Sequence, residues 1–152
     1  MVYGLVRDKR QLTSLELLAS KKVNRNNITE AAHMVELVQR LNKGDVVWAV
    51  SVLDFCTVSL FYAFALGVLE KGASLRLVKQ SYLDVGNGKI WRESVKEHIK
   101  CLAGVEQQAV RRLTEAFDLN PRGRAFVADF IAEMMICVLS ATYSQEGILR
   151  RL

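Results

Sequence analysis

Two stretches of this chain place polar groups where an α/β protein does chemistry. Arg7, Asp8, Lys9 and Arg10 follow a short apolar run, with the hydroxyls Thr13 and Ser14 just beyond. Ser51 and Asp54 follow a second apolar run, Asp45–Val50. Spacing alone does not assemble a Ser/His/Asp set. Glu93/Glu97 and Asp129/Glu133 read as solvated pairs on helix surfaces. The Gly86-Asn87-Gly88-Lys89 segment lacks the glycine spacing and the hydroxyl of a phosphate loop. Cys56, Cys101 and Cys137 are odd in number and far apart, and neither His33 nor His98 has a cysteine close in sequence. No metal site and no cofactor is expected. The thiols read as buried and free in a reducing cytoplasm, and His98, among charges, as exposed.

Periodicity defines the elements that must position these groups. Val2–Val6 reads as a buried strand, and Leu12, Leu15, Leu18 and Ala19 as a helix to about Ser20. Residues 21–27 are polar and read as a loop. Thr29 reads as the N-cap of a helix bearing Ala32, Val35, Val38 and Leu41, which stops before Gly44. Asp45–Val50 is a strand with both faces covered. Asp54 is the expected cap of a helix, apolar nearly all round, that runs to Lys71 and Gly72. Ser74–Val78 is a third strand. This β-α-α-β-α-β order predicts a mainly parallel sheet flanked by helices, with right-handed crossovers.

Beyond a turn at 85–88 the character changes. Residues 89–117 predict one long helix with an apolar stripe of Trp91, Val95, Ile99, Leu102, Ala109, Leu113 and Phe117. Lys89, Arg92, Lys96 and Lys100 form a basic row on another face. A helix this long outruns a small sheet, so its free end needs a partner. Asn120 and Pro121 start a last helix as N-cap and N1. That helix carries Phe126, Phe130, Met134 and Val138 and ends near Gly147. Residues 1–117 thus read as an α/β domain that includes the long helix 88–117. Residues 118–152 read as a C-terminal helix packing on that domain or on a partner subunit.

Composition agrees with a globular protein: of 152 residues, 51% are hydrophobic and one is proline, which excludes disordered and fibrous classes. The net charge of +5 permits contact with nucleic acid or an anionic surface without requiring either. The most apolar windows, Phe55–Leu69 and Met134–Tyr143, are shorter than the roughly 20 residues of a membrane span. Charges at Arg7–Arg10 follow the first apolar run at once, so no signal peptide is expected. The chain reads as soluble and cytoplasmic, without a membrane partner.

Three stretches together resemble the catalytic domain of the serine recombinases, the resolvase/invertase family. "VYGLVRDKRQLTSLELL" resembles the family's opening Y-x-x-V-R-V-S-T-x-x-Q and first helix. "LNKGDVVWAVSVLDF" resembles G-D-x-x-V-x-K-L-D-R-L-G-R. The segment from "VLEKGASLRLVKQ" through "SYLDVGNGKIWRES" to "VRRL" resembles a helix, a strand, an L-D-T-x-x-x-x-G-K turn and a long dimerisation helix. "LTEAFDLNPRGRAF" at 113–126 also resembles that turn, but taking it would leave an insertion of about 36 residues unexplained. The resemblance covers roughly residues 2–117 and implies a resolvase-like, flavodoxin-like fold.

The departures from the family bear on activity. Arg7 matches the family's strand-one arginine, yet the nucleophilic serine position falls on Lys9. The family's K-L-D-R-L-G-R aligns with Ala49-Val50-Ser51-Val52-Leu53-Asp54-Phe55, so Val52 and Phe55 stand where two arginines would surround the phosphate. Removing that charge removes the mechanism along with the nucleophile. The resemblance with these departures implies an inactive DNA-associated or regulatory dimerisation module from a bacterial or mobile-element source. It would pair with itself through helix 88–117, with helix 121–147 as a further surface, or with an active recombinase. DNA contact would fall on Lys89, Arg92, Lys96, Lys100, Arg111 and Arg112, with strong salt dependence. No recognition helix is evident after the long helix. The alternatives are a recombinase using Ser14, Thr13 or Ser51, and a dimeric interaction domain that does not touch DNA.

Overall fold

The computed structural model describes residues 1–144. The chain runs β1 (Val2–Val6), α1 (Leu12–Ser20), β2 (Ile28–Glu30), α2 (Met34–Arg40) and β3 (Val46–Ala49), then α3 (Val58–Glu70), β4 (Ser74–Leu77), α4 (Glu93–Ala116) and α5 (Pro121–Tyr143). The sheet has the order β2-β1-β3-β4, and all three strand pairings are parallel. Leu15, Leu17 and Leu18 of α1 pack on one face with Val6, Ile28 and Val50. Helices α2 to α5 cover the other face, around Leu5, Val47, Phe55, Phe61 and Leu75. This is a flavodoxin-like α/β arrangement with a long helix and a C-terminal helix.

The second strand is a correction. Thr29, expected to cap a helix, lies in β2 and pairs with Leu5. Asn24 turns the chain into it, its side-chain oxygen accepting the Asn26 N–H at 2.9 Å. Three residues, of which only Ile28 is apolar, are too short for an alternating pattern to register. The third helix also starts later than expected. Thr57 caps it, Oγ1 accepting the Leu60 N–H at 2.9 Å, while Asp54 belongs to a preceding 3-10 turn at Val52–Phe55.

The long helix begins at Glu93 rather than residue 89. Lys89 is held in the turn, where its N–H donates to Gly86 O and its carbonyl accepts the Gly86 N–H. Gly86 has φ +91, and a Cβ there would meet Ala73 O at 2.4 Å, so only glycine lets the chain pass this close to β4. Asn120 caps α5 through Gly123 N–H at 2.9 Å, with Pro121 in the first turn. The helix end expected near Gly147 lies outside the described residues.

From that start α5 doubles back along α4 and reaches the carboxyl edge of the sheet, packing on the 3-10 turn and α3. Ile136, Leu139 and Tyr143 join the main core. The apolar stretch is longer than the window taken from sequence. Among the described residues, α5 alone is long and apolar enough to cross a membrane by length and composition, with 17% of its apolar window buried.

Candidate functional site

In an open parallel sheet the crevice at a topological switch point is where ligands bind. Here that point lies between the carboxyl ends of β1 and β3, since β2 and β3 flank β1 on opposite sides. Arg7 leaves the end of β1, and Ser51 to Thr57 leave β3. Asp54 lies between the two strand ends. Its Oδ2 accepts the Ser51 N–H at 3.2 Å, and the backbone N–H groups of Arg7 and Val50 also favour its charged form. Burial raises the Asp54 carboxyl above the ordinary range, and these donors and nearby Lys79 offset only part of that rise. Ser51 answers from the same turn, its Oγ accepting the Leu53 N–H at 3.2 Å.

At Cys56 the chain reverses sharply, with φ +70 and ψ −42. Thr57 N–H donates to Phe55 O at 2.8 Å, closing a γ-turn of the rarer, strained hand. The cleft above this turn has a volume of about 510 Å³. Arg7, Leu53, Cys56 and Thr57 line the sheet side, and Asp129, Glu133 and Cys137 the α5 side. One arginine faces two carboxylates and two thiols. That balance disfavours a phosphodiester, which needs several cations around its oxygens.

The three hydroxyls weighed as nucleophiles do not line this cleft. Thr13 and Ser14 sit in α1, and Ser51 is buried and engaged in its own cap. Lys9 is exposed, its N–H donating to Glu30 at 3.4 Å. Val52 and Phe55, at the two arginine positions of the resemblance, are fully buried. Phe55 meets the rings of Phe61 and Phe64 at 5.2 Å each. Both positions belong to the core.

The basic row does not hold as one face. Lys89 and Arg92 precede the helix, and Lys89 pairs with Asp84 at 3.6 Å. Lys100 pairs with Glu97 and Arg111 with Glu115, each at 3.8 Å. Arg111 and Arg112 diverge, as adjacent residues on a helix must. Arg92, Lys96 and Arg112 are without an ion-pair partner among the described residues.

Other side chains also depart from expectation. Cys101 and Cys137 are exposed and Cys56 is half-buried. His98 is half-buried, with Nδ1 2.8 Å from the Tyr143 hydroxyl. Sequence reasoning missed the role of Glu106, a buried carboxylate that binds the start of α3. It also missed the exposure of the apolar residues on the α4–α5 hairpin. Phe117 is 71% exposed, Phe126 73%, Phe130 55%, Met134 44% and Val138 42%. Phe126, Phe130, Met134 and Val138 recur every four residues, but that spacing does not say that solvent covers them. No family model matches this chain, and no curated protein matches it.

Proposed function

We propose that this chain is a catalytically silent domain resembling the serine-recombinase catalytic domain, and that it works as a dimerising interaction module. The α4–α5 hairpin carries the reading. One side of α5 closes over the carboxyl edge of the sheet, where Asp129 and Glu133 face Arg7 across the cleft. The other side leaves a run of large apolar side chains in solvent, the usual mark of an interaction surface on a small domain. Self-pairing fits this reading best, and an active recombinase is the second partner class. Free thiols at Cys101 and Cys137 suit the cytoplasm.

The test combines light scattering with incubation on supercoiled DNA followed by detergent. The expected result is twice the chain mass and no covalent adduct. A monomer at tens of micromolar overturns the module. An adduct lost on replacing Ser14, Thr13 or Ser51 overturns the silent reading in favour of the enzyme.

A second reading, association with DNA, is favoured by Arg92, Lys96 and Arg112, which lack ion-pair partners among the described residues. It predicts duplex binding that weakens steeply with salt, and a slope reduced by about 1 for each of K96A and R112A.

A further inference from the structure

We propose that α5 pairs antiparallel with α5 of a second copy, about a two-fold axis beside Phe130. This rests on the dimerising reading above and names its surface. Phe130, Glu133, Met134 and Cys137 stand at i, i+3, i+4 and i+7 and line, with Val138, a shallow depression of about 340 Å³ on the outer face. Those four positions are the walls of a knobs-into-holes socket. One turn before it, Phe126 projects into solvent as the most exposed phenylalanine of the chain. Knob and socket thus lie on the same face of the same helix, as an isologous interface requires. With the axis at Phe130, Phe126 enters the socket opposite the partner's Met134, and Phe130 meets its own copy.

Charge favours the same arrangement. The first turn of α5 contains no acidic residue but holds Arg122 and Arg124, the wrong sign for a helix N-terminus. Arg124 is partly accommodated by donating to Leu119 O at 2.9 Å. An antiparallel copy brings its negative C-terminal end toward Arg122.

A lipid surface fits less well. The border of the stripe toward the cleft carries Asp129 and Glu133, which anionic headgroups repel, whereas interfacial helices carry Lys and Arg along that border. Crossing a bilayer would pull Ile136, Leu139 and Tyr143 out of the core.

The experiment measures molar mass by light scattering for the parent chain and for F126E, F130E and V105E, with folding checked by circular dichroism. Val105 is exposed on α4 and reports on pairing through that helix. The expected result is twice 17.1 kDa for the parent and V105E, and half that mass for F126E and F130E. If F126E and F130E stay dimeric while V105E does not, the α5 interface is overturned and the dimerising reading stands. A monomeric parent overturns both, and flotation with phosphatidylcholine/phosphatidylglycerol vesicles then assigns the stripe to a lipid surface. Should the glutamates unfold the chain, F126C/M134C in a C101S/C137S background replaces them. Two helical turns separate these positions within a chain, too far for an internal disulfide. A cross-linked dimer on mild oxidation supports the pairing, and a chain that stays uncross-linked overturns it.

Discussion

Glu106, in the middle of α4, accepts the backbone N–H of Val58 at 3.0 Å and so binds the first turn of α3. The same carboxylate accepts the Ser59 hydroxyl at 2.7 Å. A carboxylate at a helix N-terminus satisfies donors that have no partner inside the helix and complements the helix dipole. Glu106 is buried, so its loss leaves the Val58 N–H without a partner in a dry place. E106A is expected to lower unfolding free energy by about 2–3 kcal/mol in urea titration. E106Q keeps one acceptor and should lose clearly less. Equal losses would show that packing, not the acceptor, matters here.

Gln80 fastens α5 to the sheet edge. Its Oε1 accepts the Val52 N–H at 3.0 Å and its Nε2 donates to Ser140 Oγ at 3.1 Å, in a nearly solvent-free position. Q80L should cost about 1–3 kcal/mol, since Val52 N–H is left buried without a partner. S140A should cost roughly 1 kcal/mol or less, because only one neutral bond goes. If S140A proves the more damaging, the helix and not the turn depends on this link.

Two buried carboxyls set an expectation for pH. Burial raises Asp54 and Asp84 above 3.8, against the pull of backbone donors and neighbouring cations. A folded-state pKa above the unfolded one means that the native state holds the proton more tightly. The stabilisation is therefore full below 3.8 and is lost as pH rises through the raised values. Asp45 behaves oppositely. Despite its burial, the Asn42 N–H and the terminal ammonium hold it low, so its contribution fades as pH falls. D54N keeps an acceptor for Ser51 and removes the first effect. Its stability relative to the parent should rise between pH 4 and pH 7, and a constant difference would refute the assignment.

The γ-turn at Cys56 stores strain that glycine would not feel. Such backbone costs on the order of 1–3 kcal/mol, against about 0.5–1 kcal/mol for the added freedom of glycine when unfolded. C56G is expected to be neutral to about 1 kcal/mol more stable by thermal unfolding, and C56A to show no gain. A destabilised C56G would mean that the half-buried thiol packs well enough to outweigh the strain.

Arginine is not tolerated at residue 55. F55R places a charge among Phe61 and Phe64 at a fully buried site, a change expected to cost more than about 4 kcal/mol. Soluble expression should collapse. K9S alters only an exposed turn and should fold normally, yet form no detergent-resistant adduct with supercoiled DNA. An adduct from K9S would show that Arg7 suffices as the phosphate ligand.

Much of this architecture is local and can be read along the chain. The runs at Val2–Val6, Asp45–Val50 and Ser74–Val78, the stripe through Val95 and Ile99, and the Asn120-Pro121 start each depend on neighbours within a turn or two. Periodicity and cap chemistry record them directly. Arg7 at the end of β1 was legible for the same reason. Strand β2 was not, because three residues become a strand only when Leu5 supplies the pairing.

The site was decided by tertiary structure. Arg7 meets Asp129 and Glu133 across one cleft because α5 folds back over the sheet edge, and nothing in either local stretch specifies that approach. The basic row of Lys89, Arg92, Lys96 and Lys100 looked continuous in helical spacing. It broke because Lys89 lies in the Gly86 turn and pairs with Asp84. Phe126 and Phe130 carried the same periodic signal as Val95 and Ile99. Periodicity says which residues share a face. Whether that face meets a core, solvent or another chain depends on elements far away in sequence, as Glu106 and Val58 do across 48 residues.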